Sequence, residues 1–525
     1  MGRWTREMIL AAALIGLAGT SEAATRGGKL TFARYADSLL LDPVLNDANV
    51  DIWILTNLYD TLLQPTADGK GVQPGLATDY KVADDGLTFT LTLRSGTKFS
   101  DGSPITAADV KWTLDRARNP KNGIWNFTLE SVDSVEIKGE DTIVLHLKHA
   151  DPTLAAALAT FNTAILPQKP FEASAGATDE EKGKAFAEHP IGSGPFQFVS
   201  WQRGTEMVLK RNPNYWQMGE DGKALPYLDE IHFVIIPDDA TRILKLQAGE
   251  VDGAELIPYA RVAELKADSN IAMELFPSTK VEFLTLNVRP KLKDGSDNPL
   301  ANEKLRQALN YAVDKIPLTK IVTGDTGTPT ISYMSSATPL VSGAGPAYPY
   351  DPVKAKALLQ ESGLANVEVT ALALAGSADE TAILTTIQQM WAQVGVTLKI
   401  EQLDNATRTA RYRAGDFQIR PSLWTDDIAD PSEITSYMAY YPNIQSLHGG
   451  WQDKTVDDLY LAGQKEMDKA KRADMYKQIQ DIYMKSAPIV FLYQAPYPVA
   501  LRKNVKGFVQ IPLGNNIFAG ASVEK

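Results

Sequence analysis

The stretch VEVTALALAGSADETAILTTIQQMWAQVGVTLKI, from Val367 to Ile400, shows the fold class most clearly. Val367 to Leu374 and Thr397 to Ile400 are short strand-like runs, and a segment long enough for a helix of several turns separates them. A third run of this kind, Phe417 to Trp424, follows. Because strands that alternate with helices are typical of α/β architecture, we predict a mixed α/β domain in this part of the chain.

The pattern before about Ser278 differs, because strands there come in hairpin pairs. Residues 87–93 alternate between apolar side chains and threonine, which is typical of a strand with one buried face. The preceding Asp84-Asp85-Gly86 is a hairpin-turn signal, and residues 134–147 show a second alternating pair. The chain has 525 residues, more than one hydrophobic core usually supports. We therefore predict at least two domains.

The first 23 residues have the pattern of a secretory signal peptide. Arg3 and Arg6 precede an apolar run from Met8 to Gly19, and Ser21-Glu22-Ala23 fits the small-x-small cleavage rule. The apolar run is too short to span a bilayer of about 30 Å. The chain contains no cysteine, so it has neither disulfides nor a thiol for a lipid anchor. We expect cleavage after Ala23 or Ala24, and a periplasmic location.

Charge and motifs exclude several classes of function. The formal net charge is −12, and no basic stripe offers the clustered Lys and Arg that nucleic-acid binding needs. The sequence has no nucleophile elbow, no His-Glu-x-x-His and no phosphate-binding loop. The five histidines are scattered. We therefore predict no enzymatic activity, no catalytic residues, no metal ligands, no cofactor and no nucleic-acid partner.

One acidic segment, Trp424 to Glu433, is a candidate site. Asp430 precedes Pro431 and lies three residues before Glu433, which predicts that it caps a helix. Asp426 and Asp427 have no such role, and they follow a strand end, where α/β domains place ligand sites. A carboxylate beside an indole can bind a primary ammonium group. Spacing alone favours the alternative, a hydrated loop acid packed near a core tryptophan.

Several longer motifs resemble the bacterial solute-binding proteins of family 5, the dipeptide, oligopeptide and nickel-complex receptors of ABC importers. They lie at residues 58–63, 73–80, 84–89, 99–104, 191–196, 210–216, 305–314 and 350–355. The resemblance implies a two-lobe periplasmic binding protein, class II-like and of cluster C. Lobe one would comprise residues 24–278 and 490–525, with an inserted subdomain at about 61–190, and lobe two residues 279–489.

The resemblance also implies a function. The protein would capture a small peptide by hinge closure and deliver it, as a monomer, to an inner-membrane ABC permease of two membrane subunits plus ATPases. In peptide-binding relatives a Trp-x-x-Asp stretch carries the acid that pairs with the peptide α-amino group. Trp424 and Asp427 match these positions, so we predict Asp427, Trp424 and Asp426 as ligand-binding residues.

One feature departs from the dipeptide receptors that this sequence resembles. They carry an arginine for the ligand carboxylate after the strand that matches Val367 to Leu374, whereas residues 370–393 here contain no Arg or Lys. Either Arg408, Arg411 or Arg413 takes that role, or the ligand lacks a free carboxylate there. A longer peptide and a non-peptide amine such as an opine, an amino-sugar conjugate or a metal complex are the alternatives. A secreted hydrolase that uses cleft carboxylates is the rival from another class.

Overall fold

The computed structural model describes residues 25–46, 48–123, 125–343, 345 and 347–524. The predicted signal peptide, residues 1–23, lies outside this part of the chain. Helices of eight or more residues in the described part are Asn49–Leu58, Ala107–Ala117, Asp179–Phe186, Asp239–Ala248, Tyr259–Ala267, Glu303–Tyr311, Lys315–Thr323, Pro352–Glu361, Ala378–Val394, Asn405–Arg413, Pro431–Met438, Lys454–Gly463 and Lys469–Ser486.

Lobe one is built on a seven-stranded sheet. Its strands, in spatial order, are Ile271–Phe276, Tyr497–Arg502, Gly253–Ala254, Lys29–Arg34, Glu230–Ile235, Glu206–Arg211 and Phe196–Gln202. The strand from the C-terminal part of the chain pairs antiparallel with Ile271–Phe276, which makes this lobe discontinuous in sequence. Phe32 lies at the centre of the core, where its ring contacts those of Phe233 and Phe518.

An inserted subdomain extends lobe one. Its antiparallel sheet has the order Ala77–Val82, Thr88–Leu93, Thr142–Leu147, Val132–Lys138, and the two hairpins that the alternation predicts are present. The helix Ala107–Ala117 packs on this sheet and begins with a capping box formed by Thr106 and Asp109. The apolar core of the subdomain is continuous with that of lobe one, so the two are expected to move together.

Lobe two is built on a six-stranded mixed sheet. Its strands, in spatial order, are Thr328–Pro329, Ile489–Gln494, Val281–Leu286, Ile419–Trp424, Glu368–Leu374 and Thr397–Leu403. The last three are parallel and the others antiparallel to their neighbours. One core fills each face of this sheet, the first around Trp391 and the second around Tyr476. The prediction of a mixed α/β fold is confirmed.

Two short crossings, residues 277–280 and 495–496, join the lobes. The strand Ile489–Gln494 belongs to the sheet of lobe two, because it pairs with Val281–Leu286 on one side and Thr328–Pro329 on the other. The sequence-based boundary at residue 490 falls inside this strand, so the return crossing comes about five residues later. Ser278 Oγ donates a hydrogen bond to the Ala495 carbonyl, which links the two crossings directly.

None of the helices in the described ranges combines the length and the apolar character that crossing a bilayer requires.

Candidate ligand-binding site

The candidate site lies at the edge of the lobe-two sheet that faces lobe one. The parallel strands Glu368–Leu374, Thr397–Leu403 and Ile419–Trp424 all end at this edge, where α/β sheets place their ligand sites. The loop after Trp424 reaches the first crossing, since the backbone N–H of Asp426 donates to Thr279 Oγ1 over 2.8 Å. The acidic segment is therefore in contact with the hinge.

Asp426 is fully buried and is held by its own lobe. One carboxylate oxygen accepts a hydrogen bond from Trp424 Nε1 at 3.0 Å, and the other accepts one from Thr338 Oγ1 at 2.7 Å. Burial raises the pKa of Asp426 to about 7 despite these donors. This carboxyl thus orients the indole and fixes the loop, and its hydrogen bonds leave it less available to a ligand than its neighbour.

Asp427 differs from Asp426 although the two are adjacent. Its half-buried side chain has no hydrogen-bond or ion-pair partner among the residues that the structure describes, and burial raises its pKa to about 7. Its charge, like that of Asp426, contributes with burial to the raised pKa of Tyr497, so Asp427 lies close to lobe one. A carboxylate that is largely desolvated, unpaired and placed between two lobes is suited to bind a cation.

Glu433 is a site residue that sequence reasoning treated only as part of a helix cap. Its Oε2 atom accepts hydrogen bonds from the backbone N–H groups of Asp427 at 2.9 Å and Ile428 at 2.8 Å. The side chain is 3% exposed, and burial, with the charges of Asp427 and Asp426, raises its pKa well above the ordinary value. The spacing of Glu433 from Asp430 pointed to a cap, whereas its contact with the loop six residues earlier depends on tertiary structure.

Asp430 has the structural role that the sequence predicts. It is the N-cap of the helix Pro431–Met438, where its side chain accepts from the Ser432 N–H at 2.9 Å. It also forms a buried bidentate ion pair with Arg472, with N–O distances of 2.5 and 2.6 Å. Because this carboxylate is neutralised within the protein, it is not a candidate for ligand binding.

Aromatic rings flank the acidic loop. Trp424 packs on Tyr437 with ring centroids 4.4 Å apart, and Tyr440 stacks on Tyr460 at 4.6 Å. Tyr437, in the helix Pro431–Met438, and Tyr440, just after that helix, line a cavity of about 690 Å³ between lobe two and the inserted subdomain. Ile428 and Glu433 border its inner end. The cavity therefore continues outward from the acidic loop.

A second cavity, of about 230 Å³, lies within lobe one beside Asp60. The carboxylate of Asp60 accepts hydrogen bonds from Trp216 Nε1 at 2.7 Å and Gln64 Nε2 at 3.2 Å. Since these donors satisfy the carboxylate and the cavity is enclosed by one lobe, the site between the lobes is the better candidate for capture by closure.

Of the three arginines that the sequence suggested for binding a ligand carboxylate, two form ion pairs within the protein and one is exposed. Arg408 pairs with Glu380 at 2.6 Å, Arg411 pairs with Glu401 at 2.8 Å and also with Asp416, and Arg413 is exposed. Arg420, which the sequence did not single out, is half-buried on the strand that ends at Trp424. It forms no ion pair with a described residue, and its guanidinium lies 4.3 Å from the Tyr412 ring centroid.

No group of three or more His, Cys, Asp or Glu side chains in the described part of the chain has the arrangement of a metal site.

Comparison with known proteins gives consistent results. Residues 71–446 match the model of the bacterial extracellular solute-binding proteins, family 5 middle region. The chain is 30% identical over 482 residues to the glutathione-binding protein GsiB of Salmonella typhimurium, with 90% of each chain covered.

Two solved structures are similar over almost the whole chain. One is the periplasmic binding protein DppA of Helicobacter pylori in complex with the peptide STSA, with a TM-score of 0.79, 25% identity, and coverage of 95% of this chain and 99% of that one. The other is AgaA of A. tumefaciens R10 in complex with agropinic acid, with a TM-score of 0.76, 26% identity, and coverage of 95% and 99%.

Proposed function

Because this chain belongs to the bacterial extracellular solute-binding proteins of family 5, we propose that it captures a short peptide between its lobes for an ABC importer. The family assignment made from sequence motifs is confirmed, and so is the two-lobe fold. The proposal adds that the protein acts in the periplasm as a monomer. It delivers its ligand to an inner-membrane permease of two membrane subunits plus ATPases.

The observation that carries the peptide proposal is the unpaired carboxylate of Asp427 in the loop that faces lobe one. A free α-ammonium group would neutralise it and satisfy its hydrogen-bonding capacity. Trp424 and Asp426 form the surface next to Asp427, and they hold each other in place because the Trp424 indole N–H donates a hydrogen bond to the Asp426 carboxylate. We assign Asp427 to direct contact with the ligand, and Trp424 and Asp426 to the wall and floor of the site.

Arg420 is our proposal for the group that binds the ligand's carboxylate. It lies four residues before Trp424 on the same strand face, which corresponds to about 13 Å at 3.3 Å per residue. An extended tripeptide has roughly this length. Burial lowers the pKa of Arg420 although the charge of Glu380 acts against this shift, and an incoming carboxylate would offset the cost of burial further.

Capture by closure explains why the acidic loop contacts the hinge. Rotation about residues 277–280 and 495–496 would bring lobe one over the ligand. A ligand shifts the open–closed equilibrium only by its differential affinity for the closed form. A Kd on the order of 1 μM corresponds to about 8 kcal/mol, which is sufficient to populate a closed state that a permease can recognise.

A receptor for a non-peptide amine is the second candidate. It is favoured by the engagement of Arg408 and Arg411 in ion pairs, which removes two of the cations expected for a peptide carboxylate. The similar protein AgaA is solved with agropinic acid, whereas the relative GsiB is described as a binding protein for glutathione, which is itself a tripeptide. These two ligands therefore belong in the same binding assay as simple peptides.

The test combines identification and affinity. Native mass spectrometry of protein purified from periplasm should find a retained small molecule, which a hydrolase would instead convert. Calorimetry should then compare di- and tripeptides, their N-acetylated forms, glutathione and agropinic acid. We expect free-amine tripeptides to bind and N-acetylated ones to bind at least 30-fold more weakly. Equal binding of both forms, or binding of agropinic acid alone, would refute a peptide receptor with an ammonium site.

A further inference from the structure

Asp426, Asp427 and Glu433, here called the acid cluster, contain more carboxyl groups than one ligand ammonium group requires. Asp426 and Glu433 are buried, Asp427 is half-buried, and the charges of Asp426 and Asp427 act on Glu433. Only one Glu433 oxygen is used, because the backbone N–H groups of residues 427 and 428 both donate to Oε2. In the described part of the chain Oε1 has no hydrogen-bond partner, and Glu433 borders the 690 Å³ cavity.

The cations nearest to the acid cluster are already engaged. Arg472 pairs with Asp430, and Lys280 of the first crossing pairs with Glu282 at 2.9 Å. Among the described residues, no Lys or Arg forms an ion pair with a member of the cluster, and the cluster's own hydrogen bonds come from neutral donors. The protein therefore leaves the charge of the cluster to be neutralised by protons or by a ligand.

The opposite wall of the cavity is also acidic. The inserted subdomain contributes Glu130, Asp151 and His149 to the lining, and Glu130 is 3.2 Å from His149 Nε2 and 3.7 Å from Lys148. From lobe two the lining includes Glu433 and Lys465. Three carboxylates of the lining thus face one lining lysine, one lining histidine and Lys148 beside Glu130, and two of the three come from the wall that closes over lobe two.

The side walls suit an alkyl chain that ends in a cation. Tyr437 and Tyr440 line the cavity next to the acid cluster, and Trp424 packs on Tyr437. Aromatic faces attract ammonium and guanidinium groups and also cover their apolar stems. A neutral aliphatic side chain would gain the apolar contact with the rings but not their attraction for a positive charge.

We propose that the cavity beside Glu433 is a subsite for a second positive charge, so that the preferred ligands are peptides whose first residue carries a cationic side chain. This inference rests on the proposed function, because Asp427 must hold the α-ammonium group for the first side chain to reach Glu433. The ligand class is peptides that begin with lysine, arginine or a residue with a similar cationic side chain. An anionic first residue is disfavoured by the same charges.

The test uses three tripeptides that differ only in the first side chain. Lys-Ala-Ala, its uncharged analogue norleucine-Ala-Ala, and Glu-Ala-Ala are titrated into the mature protein, freed of retained solute, at pH 7.5 and low salt. We expect Lys-Ala-Ala to bind at least tenfold more tightly than the norleucine peptide, and Glu-Ala-Ala more weakly than both. Equal affinities for the first two would overturn the inference and leave peptide capture standing. Failure of all three to bind would remove the proposed function and the inference with it.

Two variants test whether the preference for a cationic first residue arises in the cavity beside Glu433. Glu433→Gln keeps an oxygen for the two backbone donors but removes the charge, and it should reduce the Lys-to-norleucine affinity ratio to within about twofold of one. Ser436→Lys adds a fixed cation to the same helical face and should lower the ratio without altering the acid cluster. A ratio of ten or more that persists in both variants would overturn the assignment to this cavity.

Discussion

Replacement of Asp427 by Asn should make the ligand-free protein more stable while it weakens ligand binding. The side chains have the same shape, but Asn cannot ionise. Burial raises the pKa of Asp427 from 3.8 to about 7, so folding disfavours the charged form. The folded protein therefore binds a proton that the unfolded chain releases at pH 5 to 7. The stabilising contribution of this proton is fully present below pH 3.8, the pKa in the unfolded chain. It is lost as the pH rises through about 7, the pKa in the folded protein.

The magnitude follows from the shift of about three pH units. At 1.36 kcal/mol per unit, an ionised Asp427 costs about 4 kcal/mol of folding free energy at pH 8. At pH 5 the folded group is protonated and the cost is about 1–2 kcal/mol. Asp427→Asn should therefore raise the free energy of unfolding by these amounts, with the larger gain at pH 8. Loss of the charged pair should weaken free-amine peptides by about 2–4 kcal/mol, or roughly 30- to 1000-fold.

Urea unfolding of the ligand-free protein at pH 5 and 8 measures the first effect, and calorimetry with free and N-acetylated tripeptides measures the second. Asp430→Asn is the matched control, because its carboxylate is paired with Arg472 and its loss should destabilise the protein. A destabilised Asp427→Asn variant at pH 8 would refute the reasoning, since it would mean that the carboxylate has a stabilising partner. Unchanged affinity for free-amine peptides would refute the assigned role.

Three further predictions concern the same structure. Arg472→Met leaves Asp430 buried and unpaired, and it should lower the free energy of unfolding by about 3–5 kcal/mol in urea at pH 7. Gly192→Ala should prevent folding or lower the melting temperature strongly, because a Cβ there would lie 1.9 Å from a backbone oxygen, whereas Gly71→Ala, with 3.9 Å of clearance, should be neutral. The affinity for free-amine peptides should fall about tenfold per pH unit below 7, because the ammonium group needs ionised Asp427, and N-acetylated peptides should show no such slope by calorimetry.

Much of the secondary structure could be predicted from the sequence. The strand Lys29–Arg34, the helix that starts at Pro352 and the cap at Asp430 follow from local patterns of polarity, proline and capping residues. The polar stretch from Glu172 to Glu188 contains the helix Asp179–Phe186. Its Phe186 is buried against Phe171, a contact that the local composition does not indicate.

The candidate site was predicted only in part. The motif resemblance singled out Asp427 in the segment after Trp424, but the sequence did not show that Asp426 is held by its own lobe. Their difference arises from Thr338, which lies 88 positions away in sequence and donates a hydrogen bond to only one of them. Glu433 was read as a capping residue because its spacing from Asp430 fits that role.

The sequence by itself determined which segments form strands and helices, the family and the acidic loop, because periodicity, caps and motifs are local properties of the chain. The tertiary structure alone decided which carboxylate stays unpaired, where the chain returns to lobe one, and that the inserted subdomain closes a cavity over Glu433. These features depend on burial and on contacts between residues far apart in sequence. Desolvation and hydrogen bonding act on the folded surroundings of a side chain, and its neighbours along the chain do not specify them.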